Sequence, residues 1–302
     1  MTFEDDLLSA WCAEVFGVRP AERIFEAGHL SRVAGFRMPD GFKVVVKERP
    51  TAERVLACID VQSYLNRRGF PCPQPLAGPT LINGRLLTAE TYVAAGERLD
   101  GPDAAPKFAE AFWRLMALTR GVEPRLSLDP PPPWLGGWEH DGSGVWPPAD
   151  DLPDDLNAID TPWLDNAARR VASVLRATTL PCVIGHADWW PDNIEWRNGE
   201  LHVVHDWDSL AYLPEAVLVG GASVLYCYAP VPAATIVQSE AFLWEYETLR
   251  GEAFSLEERA IAWAAGLWNL AFDAKKDVAR GGGATFDYLA TEFDKRLALA
   301  GA

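Results

Sequence analysis

One stretch limits what this chain can fold into more than any other: Ile184-Gly-His-Ala-Asp-Trp-Trp-Pro-Asp-Asn193, followed by Val203-Val-His-Asp-Trp-Asp208. Two carboxylates, Asp188 and Asp206, bracket the amide Asn193, which lies five positions after the first and thirteen before the second. Phosphoryl transfer needs an acceptor for a hydroxyl proton, and an amide and a carboxylate to hold Mg²⁺. A kinase catalytic loop carries Asp and Asn in that order, and a later segment carries the metal carboxylate. The same three chemical types occur here in the same order. If they act together, the fold must bring both segments to one place.

Two other readings of the stretch stand beside that one. His186, Asp188, His202, His205, Asp206 and Asp208 form a set that could bind a transition metal in a hydrolase, although neither a His-x-x-x-His nor a His-x-His pair is present. In the other, His186 is a hydrogen-bonded scaffold residue, the acids are solvated and the protein is non-catalytic.

Composition narrows the partners. The 302 residues carry 27 Lys and Arg against 43 Asp and Glu, a formal charge of −16. Such a surface repels nucleic-acid phosphates, and clefts of one sign favour a cationic ligand over an anionic one. The five cysteines contain no Cys-x-x-Cys pair and suit reduced thiols in the cytoplasm. The N-terminus is acidic where a signal peptide is basic. Residues 216–239 lack any charge, but Gly220, Gly221, Pro230 and Pro232 make them a poor spanning segment, so a buried helix and no membrane association are expected. Nothing in the pattern specifies an oligomeric state.

Along the chain, helical spacing predicts a helix over 4–16. A hairpin arm over 23–37 and a turn at 39–41 come next, then a strand over 42–47 with Lys43, Val45 and Lys47 on one face. A helix is expected over 51–68, stopped by Gly69-Phe-Pro-Cys-Pro73, followed by strands around Leu76 and 85–90. Long helical patterns then take over at 105–119, 163–178, 256–278 and 286–300. Residues 130–163 break the pattern with four consecutive prolines, four tryptophans and the acids Asp150, Asp151, Asp154 and Asp155. This insert is either a plain surface loop or a substrate-facing one.

The central loop resembles the His-Gly-Asp-x-x-x-x-Asn loop of the aminoglycoside phosphotransferase and choline kinase superfamily. Val203 to Asp208 is similar to that family's Ile-Asp-Trp/Phe-Asp segment, and residues 69–75 resemble its Gly-Val-Pro-Val-Pro break. The resemblance implies an α+β, bilobal, protein-kinase-like fold. A small β-rich nucleotide-binding lobe would span 1–90, a hinge 91–96, and a larger, mainly helical catalytic and substrate-binding lobe 97–302. It implies a small-molecule kinase using ATP or GTP and Mg²⁺, with Asp188 as catalytic base, His186 shaping the loop, and Asn193 and Asp206 as metal ligands. Lys47 matches the lysine that contacts the phosphates, Ser31 the serine of the short nucleotide loop, and Glu90, Tyr92 and Val93 the hinge that meets the base. The loop's Gly is replaced by Ala187, and Glu53 is carried as the partner of Lys47 because residues 58–62 offer only Asp60 and Gln62.

For the acceptor, aromatic faces next to carboxylates suit a cation. Trp189, Trp190, Asp192, Asp208, Trp268 and Asp273 are therefore the candidate substrate residues, and an aminoglycoside-like antibiotic the leading acceptor. Choline, homoserine and sugars are the alternatives within the same superfamily. No activation segment follows Asp206, which disfavours a protein kinase.

Overall fold

The computed structural model describes residues 7–28, 31–50, 53–99, 101, 104–140, 142–149, 151–152, 155–227 and 233–302. The start of the first expected helix, residues 29 and 30 of the nucleotide loop, Thr51, Asp150, Asp154, Pro230 and Pro232 lie outside that set.

The N-terminal part is a five-stranded antiparallel sheet. Helix α1 (Leu7–Phe16) precedes β1 (Glu22–Ala27), β2 (Arg32–Arg37) and β3 (Lys43–Pro50); α2 (Glu53–Arg67) then leads to β4 (Pro75–Ile82) and β5 (Arg85–Thr91), in the order β1-β2-β3-β5-β4. The β4–β5 hairpin turns on Asn83-Gly84, both at positive φ, the backbone that a tight two-residue turn demands. Period-two alternation divides β3 between two environments. Val44 and Val46 pack with Phe36, Leu87 and the α1 residues Leu8 and Trp11 in a small core. Val45 and Lys47 face the other way. Helix α2 belongs elsewhere: Ala57, Cys58, Val61 and Leu65 pack into the large core of the C-terminal part. The helix stops as the glycine signal requires, with Gly69 at φ +78 and the Phe70 N–H returning to Leu65 O at 3.0 Å.

The C-terminal part is mainly helical: α3 (Ala105–Thr119), α4 (Pro162–Arg176), α5 (Glu215–Leu225), α6 (Ile236–Arg250), α7 (Leu256–Ala279) and α8 (Ala284–Leu299). The uncharged stretch at 216–239 is not one helix. Helix α5 ends at Leu225, and α6 starts from a capping box of Thr235 and Gln238. Helices α5 and α7 meet at Gly220, where a Cβ would overlap the Ala262 carbonyl, so only glycine permits this approach. No helix among the described residues is long and apolar enough to cross a membrane.

Among its described residues the insert holds three short 3-10 turns, and it is pinned to α7 by indoles. Trp268 of α7 packs against Trp138 and Trp146 of the insert, with centroids 5.8 and 5.7 Å apart. Beneath them the fully buried Lys275 donates to Asp165 at 2.7 Å, Thr161 Oγ1 at 2.5 Å and Ile159 O at 2.6 Å. Deleting one partner of a buried pair leaves the other charge without compensation. Lys275→Ala is therefore expected to lower stability by about 3–5 kcal/mol in urea unfolding.

Candidate active site

Two small antiparallel pairs assemble the centre. Strand β6 (Cys182–His186) pairs with β9 (Leu210–Pro214), and β7 (Ile194–Arg197) with β8 (Glu200–Val204). The second pair turns on Asn198-Gly199, again at positive φ. Their loops are stitched side by side: Ala187 N–H donates to Ser209 O and His205 N–H to Asn193 O, each at 2.8 Å. Residues 186–193 thus lie against 204–209. His186 is fully buried and holds the crossing, its Nε2–H donating to His205 O at 3.1 Å while Nδ1 accepts the Asp188 N–H at 3.2 Å. One ring nitrogen donating and the other accepting requires the neutral imidazole. Burial favours the same form, pushing the His186 pKa down.

Asp188 and Asn193 are joined directly. The Asn193 amide donates to Asp188 Oδ2 at 2.8 Å and to Asp188 O at 3.1 Å. With its nitrogen so committed, the amide oxygen is the atom that can meet a hard cation. The Asp188 pKa is pushed up to about 7, first by burial and then by the charge of Asp206, against the Asn193 hydrogen bond. Asp206 occupies the left-handed region at φ 56, ψ 51, a conformation that costs energy for a non-glycine residue and clusters at functional sites. Ser209 Oγ donates to Asp206 Oδ2 at 3.0 Å. These oxygens and their unrelieved negative charge fit Mg²⁺, which takes one or two carboxylates plus substrate phosphates. Among the described residues no cluster of three or more His, Cys, Asp or Glu side chains is placed to hold a metal ion by itself.

A cleft of about 390 Å³ opens beside this centre. Ser31, Val33, Val45, Lys47 and Glu90 of the small part line it, with Thr91, Tyr92 and Val93 along the connecting edge and His205, Asp206 and Asp208 opposite. Lys43, on the same face of β3 as Lys47, lies 5.0 Å over the Tyr92 ring instead. Glu53 is not the partner of Lys47. It is exposed in the first turn of α2, whereas Lys47 Nζ lies 2.7 Å from Glu90 Oε1. The α2 residue that reaches this pair is Gln62, more than two turns further on, donating to Glu90 Oε2 at 3.1 Å and to Pro73 O at 2.8 Å. Glu90 therefore contributes its buried side chain to the lysine. Asp208 forms an ion pair with Arg49, a buried residue of β3 that the motif reading missed although it lies two positions beyond Lys47.

The acceptor-side candidates divide. Trp189 is fully buried against Phe112, centroids 4.8 Å apart, with its indole N–H on Phe108 O. Trp268 is fully buried under the insert. Neither can line an open site, because their ring faces are used in the core. Trp190 is half-buried, and Asp192 is exposed and paired with Arg98. Asp273 on α7 does come to the centre. Its charge and that of Lys276 both act on Asp188, and Lys276 Nζ lies 3.0 Å from Asp273 and 3.5 Å from Asp151 of the insert. Arg280 completes the group at 2.6 Å from Asp151. Burial raises the Asp273 pKa and Lys276 opposes it.

The model of the phosphotransferase enzyme family (APH) matches residues 23–251, and the chain belongs to that family. No curated protein matches the chain. Among solved structures, the amicoumacin kinase hAmiN in complex with AMP-PNP, Ca²⁺ and Ami superposes with a TM-score of 0.70 at 14% identity, covering 98% of this chain and 93% of that one. A thermostable mutant of aminoglycoside phosphotransferase APH(4)-Ia with ADP and hygromycin B gives 0.60 at 13%, covering 98% of each. An aminoglycoside phosphotransferase from Alicyclobacillus acidocaldarius gives 0.56 at 11%, covering 93% and 91%. At these identities the likeness establishes the fold: α+β and protein-kinase-like.

Two outcomes follow from the geometry. Glu90→Gln is expected to weaken ATP binding about tenfold in calorimetry, the order of one charge-assisted contact. Glu53→Gln is expected to leave it within twofold. Asp188 titrates near 7 in the folded, metal-free protein against 3.8 in the unfolded chain, so its stabilising contribution is present at low pH and lost as pH rises toward 7. The melting temperature of metal-free Asp188→Asn should therefore rise relative to wild type between about pH 4 and 7 and hold a constant margin above that. A margin independent of pH would contradict the assignment.

Proposed function

We propose that this member of the phosphotransferase enzyme family transfers the γ-phosphoryl group of ATP or GTP to a hydroxyl of a small cationic molecule, with an aminoglycoside-like antibiotic as the leading acceptor. The observation that carries the reading is the Asn193-tethered Asp188, half-buried beside Asp206 at the margin of a cleft whose opposite wall presents Lys47. In this reading the triphosphate lies between Lys47 and Asp206, and the base meets the edge at 91–93. The acceptor hydroxyl gives its proton to the Asp188 carboxylate as its oxygen bonds to the γ-phosphorus. The bond from that phosphorus to the β–γ bridging oxygen breaks, and ADP leaves. Asn193 and Asp206 would hold Mg²⁺, whose charge neutralises the phosphates. A cytoplasmic location, where nucleotide is abundant and thiols stay reduced, suits this activity.

The preference for a cation rests on carboxylates rather than indoles. Asp151, Asp188, Asp206 and Asp273 are gathered about the acceptor side against Lys276 and Arg280, in a protein of formal charge −16. The neighbours named with hygromycin B and as an amicoumacin kinase make those two compounds the first acceptors to try.

ATP at 100 times its dissociation constant should stabilise the protein by about 2.7 kcal/mol. That shift is expected to need Mg²⁺, to vanish in Asp206→Ala and to survive in Asp188→Asn. ADP release with a productive acceptor should fall at least 100-fold in Asp188→Asn. Phosphorylation of neutral sugars alone in an acceptor screen would refute the cationic specificity but not the kinase.

A further inference from the structure

The insert touches the catalytic loop at a point the mechanism above leaves unused. Its first 3-10 turn, Pro133–Leu135, sets the Trp134 indole against that loop, and Nε1–H donates to Ala187 O at 3.0 Å. This carbonyl belongs to the peptide group that joins Ala187 to Asp188. The N–H of the same group donates to His186 Nδ1 at 3.2 Å. Both polar ends of one peptide plane are held by side chains, one from β6 and one from the insert. Rotating the plane breaks a hydrogen bond, and Asp188 is carried on its edge.

The turn that supplies the indole is itself fixed. Trp268 donates its Nε1–H to Pro133 O at 3.2 Å, and Leu135 is fully buried. The preceding prolines restrict φ, so the turn has little freedom to lose.

We propose that Trp134 is a positioning residue for Asp188, and that the insert serves to hold the base in line with the phosphoryl group. The inference rests on Asp188 being the base. An error of about 1 Å in such a group can cost about 100-fold in rate, so loss of one of two restraints should be visible in turnover while nucleotide binding stays intact.

Trp134→Phe keeps an aromatic ring at this position while removing the pyrrole half of the indole and with it the N–H donor. ADP release from ATP, with water in place of the acceptor hydroxyl, is expected to fall about tenfold in kcat at unchanged KM for ATP and unchanged Mg²⁺-ATP thermal shift. Unchanged kcat overturns the proposal, as does a parallel loss of nucleotide binding, which would mark Trp134 as general support of the fold. Amide exchange at Asp188 decides the matter without turnover: it should quicken at least tenfold in Trp134→Phe, and an unaltered rate overturns the proposal. If the variant does not fold, the Trp134 indole proton of wild type is measured instead. It should exchange far more slowly than that of the exposed Trp244, and equal rates overturn the proposal. Asp188→Asn with undiminished ADP release would instead remove Asp188 as base, while the exchange data still report on Trp134.

Discussion

Setting the half-buried Asp188 beside Asp206 is electrostatically unfavourable, because two like charges in a partly desolvated site each disfavour the other's ionised form. The cost appears in Asp188, whose pKa is driven up to about 7 by burial and by the charge of Asp206. Only a surrounding structure that leaves the pair no alternative can maintain this arrangement. The β6–β9 and β7–β8 pairs bring the two acids together, Asn193 and Ser209 grip one each, and His186 locks the loops at their crossing. Trp207 lies beneath, its indole N–H on Val204 O and its ring edge-on to both His186 and Phe70. Phe70 in turn follows the glycine stop of α2, so the terminus of a small-part helix is packed into the floor of the site. A divalent cation is the natural relief for this charge, and hard oxygen donors are what the site offers it.

The two parts of the molecule are joined in ways that bear on the lysine. Helix α2 buries its apolar side in the large core, and Arg54 beside it donates to Leu210 O. Arg49 reaches across to Asp208. Glu195 accepts the Gly96 N–H at 2.5 Å and His202 bonds Ala94 O at 2.9 Å, so the β7–β8 hairpin also braces the connecting edge. Lys47 and Glu90, by contrast, lie on the adjacent strands β3 and β5. Their pairing is internal to the sheet, and a shift of α2 relative to the sheet need not break it. Gln62, being neutral, fits this division: it steadies Glu90 without competing with the lysine for charge.

What could be read in the sequence was what local spacing encodes. Alternation gave β3 its two faces, the glycine and prolines at 69–73 ended α2, and the Asp188, Asn193 and Asp206 spacing pointed to one site because each segment is a short loop beside a strand. Glu90 escaped because its contact with Lys47 crosses two strands far apart in sequence, while Glu53 was merely near in number. Trp189 and Trp268 escaped because a tryptophan in a loop motif or a helix has the same local signature whether its ring faces solvent or core. The uncharged run at 216–239 looked like one helix since hydrophobicity there is continuous; the break follows backbone chemistry, with α6 taking a fresh capping box at Thr235.

With Trp189 and Trp268 in the core, any attraction for a cation has to come from carboxylates. Cation–π contact depends on an exposed ring face, whereas the field of clustered carboxylates extends over several ångströms and survives partial pairing. Asp273 and Asp151 share Lys276 and leave the group net negative when Asp188 is ionised. The insert supplies one of these acids and also the indole on the Ala187 carbonyl. Charge on the acceptor side and orientation of the candidate base are thus tied to one stiff, proline-rich element anchored on α7. In the proposed reading, a change of acceptor within this fold is more readily made by altering that insert than by altering the catalytic loop, whose geometry is fixed from both flanks.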